Sequence, residues 1–328
     1  MKRFFILTAL FFATTLAAQS PRLHLLENPD TLNKNRLFIS AGSGIAIYSG
    51  FSIALWNSWY KQSEIEGFHT FDDAKEWNQM DKAGHFYTAW LEGHYAYQGA
   101  MWTGMKRRNA LITGAAVSVG LQATIEVMDG FSADWGFSWS DMVANGLGTG
   151  FWLTQELIWE EQRFKMKVSA HPQSYPNTPI SSVDGGTTTT PNERAIDLYG
   201  DSFATTFFKD YNQQTTWVSA NIHSFLPNRT TSKFPKWLNV AVGYGSNNLY
   251  GGFTNSWKDE AGNKFVLDDD LYPRYRQFYL SLDIELTKIP TKSRFLKALF
   301  GVVNWIKIPA PTLELNTLGK VEFHPIYW

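Results

Sequence analysis

The chain has 328 residues, enough for two ordinary domains, with 44% hydrophobic and 18% charged residues, between a soluble globular protein and a polytopic membrane protein. A formal net charge of -1 leaves no basic field for a nucleic acid, so that partner class is excluded. The absence of cysteine excludes a disulfide framework, a thiolate metal site and a lipid-modified cysteine anchor. Aromatic residues make up 16%, with 14 Trp, 14 Tyr and 24 Phe, and amphipathic rings collect where one end is apolar and the other wet, which points towards a membrane.

Met1-Lys2-Arg3, an apolar run from Phe4 to Phe12 broken only by Thr8, and small residues up to Ala18 read as a secretory signal peptide over 1–18. The mature chain is expected to begin near Gln19, with an N-terminal segment over 19–36. The stretch from Leu37 to Trp56 carries no charge and is a candidate membrane helix. An acidic segment follows, then a helix from about Asp81 to Met105, a third from about Asn109 to Met128 and a fourth from about Ser138 to Trp159 with Ser138 as its N-cap. Four helices joined by short turns predict a membrane-associated four-helix bundle over 37–168.

Pro, Ser, Thr and Gly crowd 169–194, a loop or linker. Beyond it, 195–328 reads as a β-rich aromatic half. Trp217–Phe225, Leu238–Tyr244 and Phe278–Leu286 favour strands, and the last has one apolar face. A short helix is expected over Phe295–Trp305 and a last strand near Val321, Phe323 and Trp328. The terminal Trp is similar to the aromatic end of outer-membrane barrels, against which Pro325 argues. The fold class is therefore α+β, with the helical bundle first. Basic residues at Lys34, Arg36, Lys106 to Arg108 and Arg163 to Lys167 conflict with four full spans after a cleaved signal. An outer-membrane location, or its periplasmic face, removes the conflict; the alternative is the inner membrane.

Chemistry-bearing residues concentrate in Asp81-Lys82-Ala83-Gly84-His85-Phe86 with Glu92, and in Glu126 with Trp139-Ser140-Asp141 and Asn145-Gly146. Asp81 and His85 share a helix face at i, i+4, as do Asp141 and Asn145, so each pair can point at one partner. Gly146 and Gly150 form a GxxxG that admits a close backbone. The order DKxxHF, Glu, SWSDxxxN resembles the YfiM-like family of unknown function, a family of predicted periplasmic lipoproteins, and more distantly VanZ-like membrane proteins. That resemblance spans roughly 80–155 and implies an architecture rather than a reaction. The candidate catalytic set is His85, as acid/base or metal ligand, with Asp81, Glu126 and Asp141 around it; Lys82, Glu92, Ser140 and Asn145 are binding or polar-network candidates. In the competing reading the same residues form a buried network that fixes helix register. His94 lies off this face and is expected to be structural. Asn228-Arg229-Thr230 and Asp268 to Asp270 carry no site. No cofactor and no metal are assigned. Two function classes follow. One is a non-enzymatic envelope protein that binds a membrane lipid or an envelope partner; the other is a membrane-embedded hydrolase or transferase acting on a lipid-linked or phosphorylated substrate.

Overall fold

The computed structural model describes residues 26–58 and 64–328. The signal-peptide reading over 1–18 and the start near Gln19 lie outside them. Helices occupy α1 (Lys34–Ser58), α2 (Met80–Trp102), α3 (Arg107–Asp129) and α4 (Trp139–Trp159). Ser138 caps α4 as expected, its side chain accepting from Asp141 N at 3.1 Å.

The arrangement differs from the expected four-helix bundle. The α2, α3 and α4 helices pack on one another around Trp90, Tyr97, Leu111 and Trp152. By contrast α1 lies outside, tied to the end of α2 by Asn33 N donating to Thr103 O at 2.8 Å and by the Arg36 guanidinium 4.8 Å over the Trp102 ring. Its Phe38, Ile45, Ile47 and Ile53 side chains are exposed. Among the described residues only α3 is long and apolar enough, by length and composition, to cross a bilayer. The glycines also work differently from the GxxxG reading. A Cβ on Gly146 or Gly150 would meet nothing, whereas one on Gly148 would lie 2.2 Å from Phe86 O, so Gly148 is where α4 closes on α2.

The sheet-rich part follows as β1 (Phe164–Ala170), β2 (Ile180–Ser181), β3 (Thr188–Thr189), α5 (Pro191–Tyr199), α6 (Phe203–Lys209), β4 (Gln214–Asn221), β5 (Leu238–Asn247), β6 (Ser256–Lys258), β7 (Lys264–Val266), β8 (Tyr275–Ile284), α7 (Arg294–Val303), β9 (Ala310–Asn316) and β10 (Val321–Tyr327). Six strands form one sheet in the order β1-β4-β5-β8-β9-β10, and the registered pairs are all antiparallel. The stretch 169–194, expected as loop or linker, holds the end of β1, then β2, β3 and the start of α5, and lies on the connection from β1 to its hydrogen-bonded neighbour β4. The sheet also curls onto itself. Val168 N donates to Trp305 O at 3.0 Å and Lys307 N to Val168 O at 2.9 Å, so the segment entering β9 covers the free edge of β1. In β10 the register shifts between His324 and Tyr327, and Pro325 sits in that irregularity.

The two faces of this sheet are inverted relative to a water-facing sandwich. Directly paired residues Val218, Val242, Leu280, Leu313 and Phe323 form one apolar row across five strands on the outer face. The adjoining inner row is Trp217, Gly243, Tyr279 and Glu314, continued on the edge strand by the exposed Glu322. Inside the curl Lys167 Nζ lies 2.8 Å from Asp283 Oδ2, both side chains wholly buried, and Ser219 Oγ donates to Asp283 at 2.6 Å. Gly243 has to be glycine because a Cβ there would stand 2.6 Å from the Trp217 ring. At β1 and β4 the outer face carries Met166, Val168 and Val218 against the helical core, which joins the two halves.

Trp152 fixes the helix spacing by lying between Gly93 and Gly114, where a Cβ would approach its ring to 2.9 and 2.6 Å. Gly114→Ala should therefore cost about 1–3 kcal/mol through overpacking. Gly120→Ala, on the open face of the same helix, should be neutral or stabilise by up to about 1 kcal/mol. Chemical denaturation of the two variants side by side checks this, and equal effects would remove Trp152 as the spacer.

Candidate functional site

Three polar stripes face one another near one end of the bundle. On α2 they are Asp81, His85 and Thr88; on α3, Ser118, Gln122 and Glu126; on α4, Asp141, Asn145 and Thr149. The spacing of three or four residues puts each set on one helix face. Ser118 Oγ and Thr149 Oγ1 meet at 2.7 Å, at the apolar end of the stripes.

The entry to α2 is unusual. Trp77, Asn78 and Gln79 form a short 3-10 turn with Glu76 and all have left-handed φ, at 48°, 50° and 64°, a costly conformation for residues with a Cβ. Contacts from the sheet side hold it. Trp77 N donates to Gly252 O at 2.8 Å, Asn78 Nδ2 to Ser246 Oγ at 2.9 Å, Arg276 to Gln79 Oε1 at 2.7 Å, and the Tyr244 hydroxyl to Asn78 O. This turn delivers Asp81 and Lys82 in the first turn of α2.

Lys82 is the hub. Its Nζ stands 2.8 Å from Asp73 Oδ2, 2.8 Å from Asp141 Oδ1 and 3.0 Å from Asp81 Oδ2. Asp73, from the loop before α2, also accepts from Ser138 Oγ at 2.5 Å and Ser140 Oγ at 2.7 Å. The sheet-rich part adds Tyr211, whose hydroxyl donates to Asp81 Oδ1 at 2.9 Å.

His85 completes the arrangement. Its Nδ1 faces three oxygens: Asn145 Oδ1 at 3.1 Å, Gln122 Oε1 at 3.3 Å and Glu126 Oε1 at 3.5 Å. Gln122 is oriented by donating its amide to Glu92 Oε2 at 3.0 Å and to Thr88 Oγ1 at 3.2 Å, so its oxygen is turned to the histidine. With acceptors on that side, the Nδ1 carries the proton. The Nε2 points to Asp81 Oδ1 and Asp141 Oδ2, each 3.8 Å away and beyond hydrogen-bond reach. Around His85, Glu126 Oε1 and Asn145 Nδ2 are among the buried atoms without a hydrogen-bond partner.

Charge in the cluster is unbalanced. Asp73, Asp81, Glu126 and Asp141 face a single permanent cation, Lys82. Burial works against ionising Asp73, but the bonds it shares with Asp141, Lys82 and the two serines outweigh that and hold it at about 2. For Asp141, burial and then the Asp81 charge push the carboxyl up to about 8, and burial pushes Glu126 up to about 7. Burial lowers His85, yet the charges of Asp81, Asp141 and Glu126 win and raise it to about 9. The site thus retains protons to compensate a deficit of positive charge.

Seven of the eight residues singled out in the sequence therefore converge: His85, Asp81, Glu126, Asp141, Lys82, Ser140 and Asn145. Glu92 joins only through Gln122. His94 stays apart, stacked 5.0 Å from Trp90, and burial pushes it down to about 3. Sequence reasoning missed Asp73, Gln122, Ser138 as a ligand of Asp73, and Tyr211. Gln122 had a legible signal, standing one turn before Glu126; Tyr211 is 130 positions from Asp81 and had none. Asp81, His85 and Asp141 offer ligand atoms within 4.8 Å of one another, as do Glu314, Glu322 and His324 on the sheet.

Residues 66–155 match the model of a family described as Predicted periplasmic lipoprotein (DUF2279). The match takes in every residue of the cluster except Tyr211, and leaves α1 and the sheet outside. It agrees with the first resemblance seen in the motifs and lends nothing to the VanZ-like one. The description suggests a periplasmic, envelope-associated location. Neither a curated protein nor a solved structure matches the chain.

Lys82→Met leaves Asp73 and Asp141 without their cation and should cost about 3–5 kcal/mol, read by thermal or urea unfolding. Glu92 supplies the pH test. Burial beside Tyr48, Phe51 and Leu121 raises its carboxyl from 4.5 to about 7. A carboxyl raised on folding contributes stability fully present below about pH 4.5 and lost as pH rises through 7. Glu92→Gln keeps the bond to Gln122 without the charge. It should match the parent at pH 4.5 and exceed it by up to about 3 kcal/mol above pH 7; a constant offset across that range would refute the assignment.

Proposed function

We propose that this is an exported cell-envelope protein seated in a membrane, the outer membrane in preference to the inner, where it binds lipid or an envelope partner without catalysing a reaction. The observation that carries this reading is the inverted sheet, with Lys167, Asp283 and Glu314 inside and Val242, Leu280, Leu282, Leu313, Leu315 and Phe323 outside. In water such a sheet would expose its apolar side chains and bury its charges; in lipid the same distribution is favourable. Other elements agree with it. The α7 helix buries none of its residues and leaves Phe295, Leu296, Leu299 and Val302 exposed, and α1, α3 and α4 expose Ile47, Ile53, Ile112, Val119, Leu147 and Ile158. Across the described residues, buried polar side chains outnumber buried apolar ones.

A binding or structural role is favoured over catalysis because the cluster is largely closed: Glu126 and Asp141 are 1% and 4% exposed. The placement of His85 between carboxylates keeps a second reading, a membrane-embedded hydrolase or transferase in which His85 is acid/base with Asp81, Glu126 and Asp141. It requires a reacting group to enter beside Asp81, whose side chain is 24% exposed.

The full chain should sediment with membranes, resist carbonate and urea washes, and be released by detergent. Leu280→Arg should lower the membrane-inserted fraction by the equivalent of about 2–4 kcal/mol if that face meets lipid, and change little if it meets water. A wild-type pool recovered free of membranes after the carbonate wash would sink the proposal.

A further inference from the structure

Beyond membrane seating, we infer that the cluster is a binding site for one divalent transition-metal ion of the Zn²⁺ or Mn²⁺ type, ligated by His85 Nε2, Asp81 and Asp141. The histidine is already set up for this. Gln122 Oε1 and Asn145 Oδ1 accept from its Nδ1, so when an incoming cation displaces the second ring proton the lone pair is on Nε2, aimed between Asp81 Oδ1 and Asp141 Oδ2 at 3.8 Å each. Ligand bonds of about 2.0–2.2 Å place donor atoms about 3.3 Å apart in a tetrahedron, so loading the site requires the two gaps from His85 to close by about half an ångström. Glu126 and Asn145 stand behind the ring, on the side where metal-ligating histidines meet the carboxylate or amide that orients them.

One observation besides the acidic cluster points to a missing ligand. Glu126 Oε1 and Asn145 Nδ2 are unpartnered on residues that are 1% and 3% exposed, and both belong to side chains in contact with His85. The excess of carboxylates over Lys82 is the deficit a divalent cation would supply, displacing protons as it binds. The mouth is on the Asp81 side, where His85 and Asp81 are 15% and 24% exposed, which leaves an entry path and room for water in the remaining coordination positions. The second candidate, Glu314 with Glu322 and His324, lacks these features: Glu314 already accepts from Gln277, Asn316 and His324.

The test uses the full chain, purified from whichever fraction holds it, stripped with a chelator and titrated with Zn²⁺ by calorimetry and with Co²⁺ by visible absorption. One equivalent per chain is expected, with Co²⁺ bands of a low-symmetry site and a rise in Tm on loading. Asp81→Asn and His85→Ala should each weaken binding by about tenfold or more and abolish the bands, while Glu314→Gln leaves both unchanged. Asp81 is the most exposed of the ligands, so its variant retains the fold if Asp141→Asn does not. Absence of stoichiometric uptake, or uptake unaltered by Asp81→Asn and His85→Ala, would overturn the inference, and neither result bears on how the protein is seated in the membrane.

Discussion

The ammonium of Lys82 ties together three segments that would otherwise repel. Asp73 comes from the loop over the bundle end, Asp81 from the first turn of α2 and Asp141 from the first turn of α4, all within 3.0 Å of one nitrogen. Each carboxylate near a helix start is also favoured by the backbone dipole there, so the acids sit where a helix can best tolerate them. Taking these charges out of water is expensive, and the hub offsets that only because Ser138, Ser140 and Tyr211 satisfy the remaining lone pairs. The loop, two helices and the sheet-rich part are thereby held in one arrangement.

The strained turn before α2 belongs to the same constraint. Three consecutive left-handed residues cost of order 1–3 kcal/mol each and persist only where the surroundings over-determine them. Here the surroundings are Gly252, Ser246, Tyr244 and Arg276, all from the sheet-rich part. The sheet positions the helix start, and through Tyr211 it supplies a ligand to Asp81. A family match confined to 66–155 thus contains the cluster but not its supports.

Much of the helical half was legible because uncharged runs, a Ser138 cap and i, i+4 pairs are local signals. The four helices appear close to their expected ends, and the convergence of Asp81, His85, Glu126 and Asp141 follows from stripes on packed helices. What failed was whatever depended on neighbours. The outlying position of α1 cannot be read from its own apolarity, since a buried and a lipid-facing helix look alike in composition. Gly148 lies between the two glycines of the motif and takes their role because the rotation of α4 is set by Trp152. Asp73 reads as one of several solvated acids until the loop folds over Lys82.

The sheet illustrates the same limit at a larger scale. Alternation in Phe278 to Ile284 establishes two faces, one apolar and one polar, but the period of two is identical whichever face is inside. Pairing decides it. The polar face contains Ser281, Asp283 and Gln277 beside Tyr279, and these find Thr312, Ser219 and Glu314 on the facing strands at hydrogen-bond distance. The apolar face finds only further apolar residues in register. A curled sheet must enclose one face completely, and the face able to satisfy itself by hydrogen bonds is the one that can be enclosed without water. The other is then left outside, apolar and with no hydrogen-bonding groups to satisfy, which is the distribution that the proposed membrane seating would require.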